Sequence, residues 1–170
     1  HTFSTRSDSE VIVHLYEDLG LDCFAHLNGM FAIAIWDARK NQLVLARDRM
    51  GKKPLYYAIQ DGRLVFASEL KSLMCLPDLP RTVDPGALDL YFTYQYIPHP
   101  WSIYQGIQKL SPGEVGVYRN QEWQTQSYWP IQWQKEVAKT QSQAIEEVRT
   151  LLTDSVRLRL RSDVPLGAFL

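Results

Sequence analysis

Two apolar runs lie close together in the sequence, FAIAIW at residues 31–36 and LVLA at residues 43–46. The residues between them, 37–42, are mostly polar, so the pattern predicts a β-hairpin with a polar turn. A second pair of runs, PLYYAI at 54–59 and LVFA at 64–67, flanks Asp61-Gly62, a dipeptide suited to a tight turn between antiparallel strands. Two such hairpins accompanied by helices predict an α+β layered domain rather than a doubly wound parallel one.

Helices are predicted before and after these hairpins. Ser7 and Glu10 have the spacing of a capping box and precede apolar residues at helical intervals, which predicts a helix over 8–19. Ser68 is expected to cap a short helix that ends at Met74. Pro at the first helical position after Asp84 predicts a further helix over 85–94. Its inward-facing side chains would be Leu88, Tyr91 and Phe92.

The rest of the chain changes in character near residue 130. Residues 96–112 are rich in Pro and aromatics and are expected to form an ordered loop, and 114–119 and 123–127 are predicted strands. Beyond 130, the polar segment 132–140 is typical of a linker, and 142–161 has the apolar periodicity of an amphipathic helix. These changes predict a domain boundary near residue 130.

Composition favours an ordinary soluble enzyme or binding domain. The 170 residues are 45% hydrophobic and 22% charged, and 18 basic and 19 acidic side chains give a net charge of -1. Neither a nucleic-acid nor a membrane partner is expected, because charge is spread evenly and no run approaches the roughly 18 apolar residues of a membrane span. A cytoplasmic location is expected. Cys23 and Cys75 have no metal-ligand spacing and are predicted to be buried, reduced thiols.

The polar residues offer no complete catalytic set by themselves. The four histidines, His1, His14, His26 and His99, form no metal-ligand pair at i and i+4, so structural roles are favoured. The charged segment 47–54 is either an ion-paired connection, with a structural Arg/Asp pair, or an anion-binding loop, and the structural role is favoured. Asp8 lies in a predicted first helical turn, where the helix dipole favours a carboxylate, and could also bind a ligand's ammonium group.

Six motifs follow one another along the chain: RSDSEVI at 6–12, LNGMFA at 27–32, RDRMGKKPLYY at 47–57, FASELK at 66–71, LSPG at 110–113 and RSDVPLGAFL at 161–170. Together they resemble glutamine-hydrolysing asparagine synthetases, the first four resembling the glutaminase domain of that family. The resemblance covers nearly the whole chain.

The resemblance implies a class II amidotransferase domain with the Ntn-hydrolase fold, a four-layer αββα sandwich. Residues 1–130 would be the C-terminal part of this domain. Residues 131–170 would be a linker and the first helix of an α/β ATP-pyrophosphatase domain, the asparagine synthetase domain.

The implied reaction converts ATP, aspartate, glutamine and water to asparagine, glutamate, AMP and diphosphate. In the family, an N-terminal Cys attacks the glutamine side-chain amide with its own α-amine as base, and ammonia passes through a channel to the second domain. There ATP, with Mg²⁺, activates the β-carboxylate of aspartate. Glutamine, aspartate and ATP are therefore the expected small-molecule partners, and a homodimer is conceivable.

Two residues receive site roles from the resemblance. Asp8 corresponds to the carboxylate that holds the α-ammonium of glutamine, and Leu170 to the position before the pyrophosphate loop, where it would line the ATP site. The catalytic Cys, the Arg that grips the glutamine carboxylate and the oxyanion-hole segment would precede His1. The chain is thus expected to be a fragment that contains no catalytic residue, is inactive alone and binds neither ATP nor metal by itself.

Two alternatives stay open. The first is a synthetase of the same build with another acceptor, such as a β-lactam-forming enzyme or an amidotransferase of polysaccharide clusters. The second is a non-catalytic remnant that serves as a binding or oligomerisation module through the aromatic-rich stretch 91–101.

Overall fold

The computed structural model describes residues 1–131, 139–162 and 164–167. The chain divides into two compact units, His1–Ile131 and Gln132–Leu170. The division lies beside residue 130, where the composition changes. Each unit has its own secondary structure.

Among the described residues of the first unit, seven strands form two antiparallel sheets: β1 (Ala32–Asp37), β2 (Gln42–Arg47), β3 (Tyr56–Gln60), β4 (Arg63–Ala67), β5 (Ile107–Lys109), β6 (Glu114–Arg119) and β7 (Glu122–Ser127). The first sheet has the order β1-β2-β6-β7, and the second has the order β4-β3-β5. Both predicted hairpins, β1–β2 and β3–β4, are confirmed. The turn between β3 and β4 has positive φ at Asp61 and at Gly62, as a two-residue hairpin turn requires.

One strand was missed by the sequence pattern. The segment 96–112, expected to be a loop, contains β5, which pairs with β3 through Ala58 and Ile107. Strand β5 has three residues, of which only Ile107 is buried, so it has no alternating pattern long enough to recognise. A partner strand far along the chain, rather than local preference, specifies it.

The helices of the first unit are α1 (Asp8–Leu19), α2 (Cys23–His26), α3 (Leu70–Leu73) and α4 (Pro85–Tyr94). The predicted helices over 8–19 and 85–94 are confirmed, and the side chain of Asp84 caps α4 as expected.

The predicted capping box at α1 and the predicted Ser68 cap of α3 are wrong, although Ser7 is the N-cap of α1. The hydroxyl of Ser7 accepts from Ser9 N, while the Glu10 carboxylate turns away to accept from the backbone amides of Ser4 and Thr5, so no capping box forms. Hydrogen bonds from Thr5 and Ser4 lower the pKa of Glu10 to about 2. Residue Glu69, rather than Ser68, precedes α3, and no side chain caps that helix.

Successive side chains of β2 point to opposite faces of the first sheet, and what each face contacts shows that the two sheets lie between helices. Val44 and Ala46 pack with Cys23 and Phe24 on one face. Leu45, on the other face, packs with Tyr57 of the second sheet. The far side of the second sheet packs in turn against α3, in a core that includes Ala58, Leu73, Leu79 and Ile107. Because each layer buries the face of the next, the first unit is a four-layer helix-sheet-sheet-helix arrangement.

Helix α4 does not contribute to these layers as predicted. Leu88, Tyr91 and Phe92 are 38%, 48% and 75% exposed, and Ala87 is the buried residue of the helix. The prediction that they face inward is wrong, because an apolar pattern marks side chains that can be buried but does not supply the layer that covers them. Tyr94, Tyr96 and Trp101 are exposed as well.

The second unit contains helix α5 (Gln141–Arg159), so the predicted helix over 142–161 is confirmed with slightly different ends. Thr140 and Gln143 form a capping box at its start. The apolar stripe, Ile145, Val148, Leu152 and Val156, is exposed. Most of the predicted linker lies outside the described residues. No described helix has both the length and the apolar character needed to cross a bilayer.

We predict that replacing Gly116 by Ala destabilises the first unit by about 1–3 kcal/mol, the usual cost of overpacking a core. A Cβ at Gly116 would lie 2.0 Å from the ring of Trp123, which packs against Tyr57 with ring centroids 4.9 Å apart. Urea unfolding followed by tryptophan fluorescence measures the change. Gly29→Ala is the matched control, because no atom lies within 4 Å of a Cβ at Gly29. Equal stability of the two variants would contradict the prediction.

Candidate functional site

A cleft of about 470 Å³ opens beside the start of α1. Its walls come from four separate parts of the first unit: the first turn of α1, the segment 30–33 at the start of β1, Lys53-Pro54 before β3, and Ser68 after β4. The cleft therefore exists only when both hairpins and α1 are in place. Its volume is within the range of small-ligand sites.

Two residues of opposite charge line this cleft, Asp8 and Lys53. Within the described residues neither side chain is part of an ion pair. Opposite charges that face one cleft without pairing leave each group available to a ligand. A ligand with both an ammonium and a carboxylate group satisfies both.

Asp8 owes its position to the start of α1. It is the first residue of the helix, directly after the cap Ser7, so its carboxylate lies near the unpaired amides of the first turn. The positive end of the helix dipole stabilises the ionised carboxylate there.

Lys53 is positioned through its backbone by Arg47 and Asp48. Its amide donates to Asp48 Oδ2 at 2.9 Å, and its carbonyl accepts from Arg47 Nε at 2.8 Å. Because both backbone groups of Lys53 are held, the side chain projects from a fixed point.

Asp48 fixes a second wall of the cleft as well. Its carboxylate, 1% exposed, accepts from the amide of Phe31 at 3.3 Å, and its own amide donates to Phe31 O at 3.0 Å. Oδ1 also accepts from the amides of Met50 and Lys52 at 3.1 and 2.9 Å. Four backbone amides of the described residues therefore stabilise one buried carboxylate, and their hydrogen bonds connect the start of β1 to the 48–53 loop.

Arg47 satisfies its buried guanidinium with carbonyls. It donates to Gly51 O, Lys53 O and Leu110 O at 2.7–2.8 Å. Burial lowers the pKa of the Arg47 guanidinium. The structural role predicted for 47–54 is confirmed, but the expected direct Arg/Asp pair is wrong: in the described residues no ion pair joins Arg47 to Asp48, and each binds backbone groups instead.

The candidate site residues predicted from the sequence have different outcomes in the structure. Asp8 lines the cleft, and Leu170 lies outside the described residues. His1 and His14 come together away from the cleft. Lys53 was missed as a site residue, because it was assigned with its neighbours to a structural loop, and its approach to Asp8 depends on contacts that no local pattern encodes.

Neither cysteine lies in the cleft lining. Cys23 is buried as predicted, and burial raises its pKa to about 11. Cys75 is exposed, so its predicted burial is wrong. It follows α3 by two residues, where the short helix turns outward to solvent, and its thiol donates to Lys71 O.

Another cleft, of about 380 Å³, runs along β6 and β7. Its polar lining consists mainly of amides together with Arg119 and Glu122, which lie opposite each other in the strand register beside the turn that joins β6 to β7. No ion pair joins Arg119 to Glu122 in the part of the chain that the structure describes, so charge alone does not distinguish the two clefts. We take the first cleft as the candidate site because four separate segments of the fold converge on it and Asp8 lies in its lining.

The first unit is thus a layered α+β domain whose cleft, lined by residues of opposite charge, has the size and the charge for a zwitterionic small molecule. The chain belongs to the family of glutamine amidotransferase domains, which residues 1–129 match.

Relatives of known name cover nearly all of the chain. A putative glutamine-hydrolysing asparagine synthetase of Methanocaldococcus jannaschii is 38% identical over 98% of this chain and 33% of its own length. An amidase of Gibberella zeae is 33% identical over 99% of this chain and 25% of its own length. The glutamine phosphoribosylpyrophosphate amidotransferase of Bacillus subtilis is a solved structure with a TM-score of 0.47 and 19% identity, covering 76% of this chain and 24% of that one. The chain spans a third or less of these proteins.

We predict that Asp48→Ala destabilises the first unit by at least about 3 kcal/mol, since hydrogen bonds to a charged group contribute about 1.5–3 kcal/mol each. Urea unfolding measures the loss. The control is Asp78→Ala, which removes an exposed partner of Arg63 and should cost no more than about 1 kcal/mol. Similar losses in the two variants would show that the Asp48 carboxylate does not hold the loop.

We predict that iodoacetamide modifies Cys75 in the folded protein and leaves Cys23 unmodified between pH 7 and pH 9. Only the thiolate reacts, and a buried thiol with a pKa of about 11 stays protonated over that range. Mass spectrometry of the digested protein identifies the labelled thiol. Labelling in urea is the positive control for Cys23. Rapid modification of Cys23 without denaturant would be inconsistent with its burial.

Proposed function

We propose that this chain supplies the glutamine-binding wall of a glutamine-hydrolysing asparagine synthetase. The observation that carries the proposal is the cleft lined by Asp8 and Lys53, two opposite charges that form no ion pair in the part of the chain that the structure describes. The family match and the asparagine synthetase relative give the reaction class its support.

In this proposal the two charges hold the two ends of the amino-acid part of glutamine. The Asp8 carboxylate binds the α-ammonium group, and Lys53 contributes to binding of the α-carboxylate. Because Asp48 holds both the amide of Lys53 and the amide of Phe31, the charged wall and the apolar wall keep a fixed separation. Glutamine is then oriented before any bond changes.

The nucleophile of the proposed reaction comes from elsewhere in the longer protein. Cys23 is buried, and neither cysteine lines the cleft. In the proposed scheme an N-terminal Cys, activated by its own α-amine, attacks the side-chain amide and releases ammonia, and water then releases glutamate.

The second unit fits the start of the synthetase domain in this proposal. Helix α5 would be its first helix, and Leu170 would lie at the edge of the ATP site. ATP, with Mg²⁺, would activate the aspartate β-carboxylate, and ammonia would convert it to asparagine with release of AMP and diphosphate. We place the protein in the cytoplasm, where these substrates are found, and a homodimer is compatible with the proposal.

A second candidate is a relative of the same build with another acceptor. The 33% identity to an amidase over nearly the whole chain favours it, because proteins of different names share this part. The described cleft would bind glutamine in either case, since the acceptor would be bound by other parts of the protein.

We predict that Asp8→Asn in the full-length protein raises KM for glutamine by about 10- to 100-fold and leaves synthesis from free ammonia unchanged. The change keeps the size of the side chain and removes the charge that binds the ammonium group, and a hydrogen bond to a charged group contributes about 1.5–3 kcal/mol. Lys53→Met should act in the same direction. Steady-state assays with labelled aspartate, run with glutamine and with ammonium chloride, measure both activities.

The matched controls are Asp89→Asn and Lys71→Met, which neutralise exposed side chains outside the cleft. They should leave KM for glutamine unchanged. Equal loss of the glutamine and ammonia activities in Asp8→Asn would refute the binding role. Glutamine hydrolysis without asparagine would identify another acceptor, and neither activity in the parent protein would favour a binding module.

A further inference from the structure

Outside the cleft, two histidines and a carboxylate meet on one side of α1. His14 and Glu17 are one helical turn apart on α1, and His1 packs against them from the segment before the helix. One possible ligand atom from each of the three lies within 4.8 Å of the other two. The sequence gives no hint of this group, because His1 and His14 have no metal-ligand spacing.

The two imidazoles face the same carboxylate oxygen. Nδ1 of His14 is 3.8 Å from Glu17 Oε2, and Nδ1 of His1 is 3.9 Å from the same atom. These distances are too long for hydrogen bonds. They are close to the separation of about 3.4 Å between neighbouring ligands of a tetrahedral ion with bonds of about 2.1 Å.

The other nitrogen of each ring faces a different carboxylate. His1 Nε2 is 2.9 Å from Asp18 Oδ1, and His14 Nε2 is 3.6 Å from Glu10 Oε1. Histidines that bind metals nearly always direct their second nitrogen at a carboxylate, a carbonyl or a water molecule, which fixes the ring and raises its basicity. His1 therefore has the outer partner of a metal ligand, whereas the distance from His14 Nε2 to Glu10 is too long for a hydrogen bond.

His14 also lacks the hydrogen bonds that a buried structural histidine needs. Both of its ring nitrogens are enclosed and have no hydrogen-bond partner among the described residues. The ring is covered by His1, stacked with centroids 4.3 Å apart, and by the edge of Phe3. Leaving buried polar atoms unsatisfied is costly, and a metal ion at Nδ1 removes part of that cost.

We propose that His1, His14 and Glu17 bind a divalent transition-metal ion, with Zn²⁺ as the ion that fits this donor set. Two imidazoles and one carboxylate suit Zn²⁺ better than Mg²⁺ or Ca²⁺, which prefer oxygen ligands. A water molecule completes the fourth position. The planes of the two imidazole rings are stacked with an angle of 24° between them. A ring that binds a metal ion must point its nitrogen at the ion. The His1 ring therefore turns out of the stack when the ion binds.

The bound ion links the segment before α1 to the middle of that helix. The same segment is already tied to the helix by the amides of Ser4 and Thr5, which donate to Glu10. The site is thus structural in effect: an ion bound only by the folded state stabilises it by mass action. Its role is independent of glutamine binding.

The test is titration of the intact, metal-free protein with Zn²⁺ by calorimetry, in parallel with thermal unfolding. The parent should bind Zn²⁺ at this site with a rise in Tm. Glu17→Gln and His14→Ala should each weaken that binding by at least about 100-fold, because removing an outer partner alone costs about 10- to 100-fold. His26→Ala removes an exposed histidine outside the cluster and should leave binding unchanged.

Unchanged Zn²⁺ binding in Glu17→Gln and His14→Ala would overturn the proposal, as would a parent protein that binds no Zn²⁺. If His14→Ala does not fold, Glu17→Gln decides, because Glu17 is about half exposed and its amide replacement has the same shape. Exposed Cys75 is the competing ligand. Binding lost only in Cys75→Ser, with cobalt–thiolate absorption when Co²⁺ replaces Zn²⁺, would assign the ion to that thiol and exclude the histidine site.

Discussion

The buried carboxylate of Asp48 is the interaction on which the first unit depends most. It accepts from the amides of Phe31, Met50, Lys52 and Lys53, so one side chain joins the start of β1 to the connection between β2 and β3. A buried charge is tolerated only when its hydrogen bonds are complete. The loop must therefore fold around Asp48 in one way, and that requirement places the two hairpins relative to each other.

The candidate site follows from the same constraint. Lys53 and Phe31 form cleft walls, and both are held by Asp48 through their backbones. Asp8 comes to the same cleft by a different route, as the first residue of α1, whose inner face packs on the first sheet. The buried charge of Asp48 thus fixes the geometry of the loop, whereas Asp8 and Lys53 of the cleft form no ion pair within the described residues. This separation of structural from binding charges is typical of a preorganised site.

Local sequence patterns predicted the structure correctly where residues close together in the chain determine the element. The β3–β4 hairpin has alternating apolar residues around Asp61-Gly62, and α4 begins at a Pro after an Asp cap, so both could be located from the sequence. They failed where the partner is distant. Strand β5 is defined by β3, and the Glu10 carboxylate accepts from the amides of Ser4 and Thr5 instead of forming the expected capping box. Cys75 and the face of α4 are exposed, because apolar character does not supply a covering layer.

The sequence by itself determined the α+β class, the two hairpins and the main helices. Through the resemblance to a family, it also singled out Asp8 as a candidate binding residue. These features depend on residues close together in the chain, where turn chemistry, capping and apolar periodicity act. Only the tertiary structure decided that Lys53 shares a cleft with Asp8, and that His1 meets His14 and Glu17. The physical reason is that both groupings depend on contacts between separate segments, and such contacts form only when the layers of the core are packed.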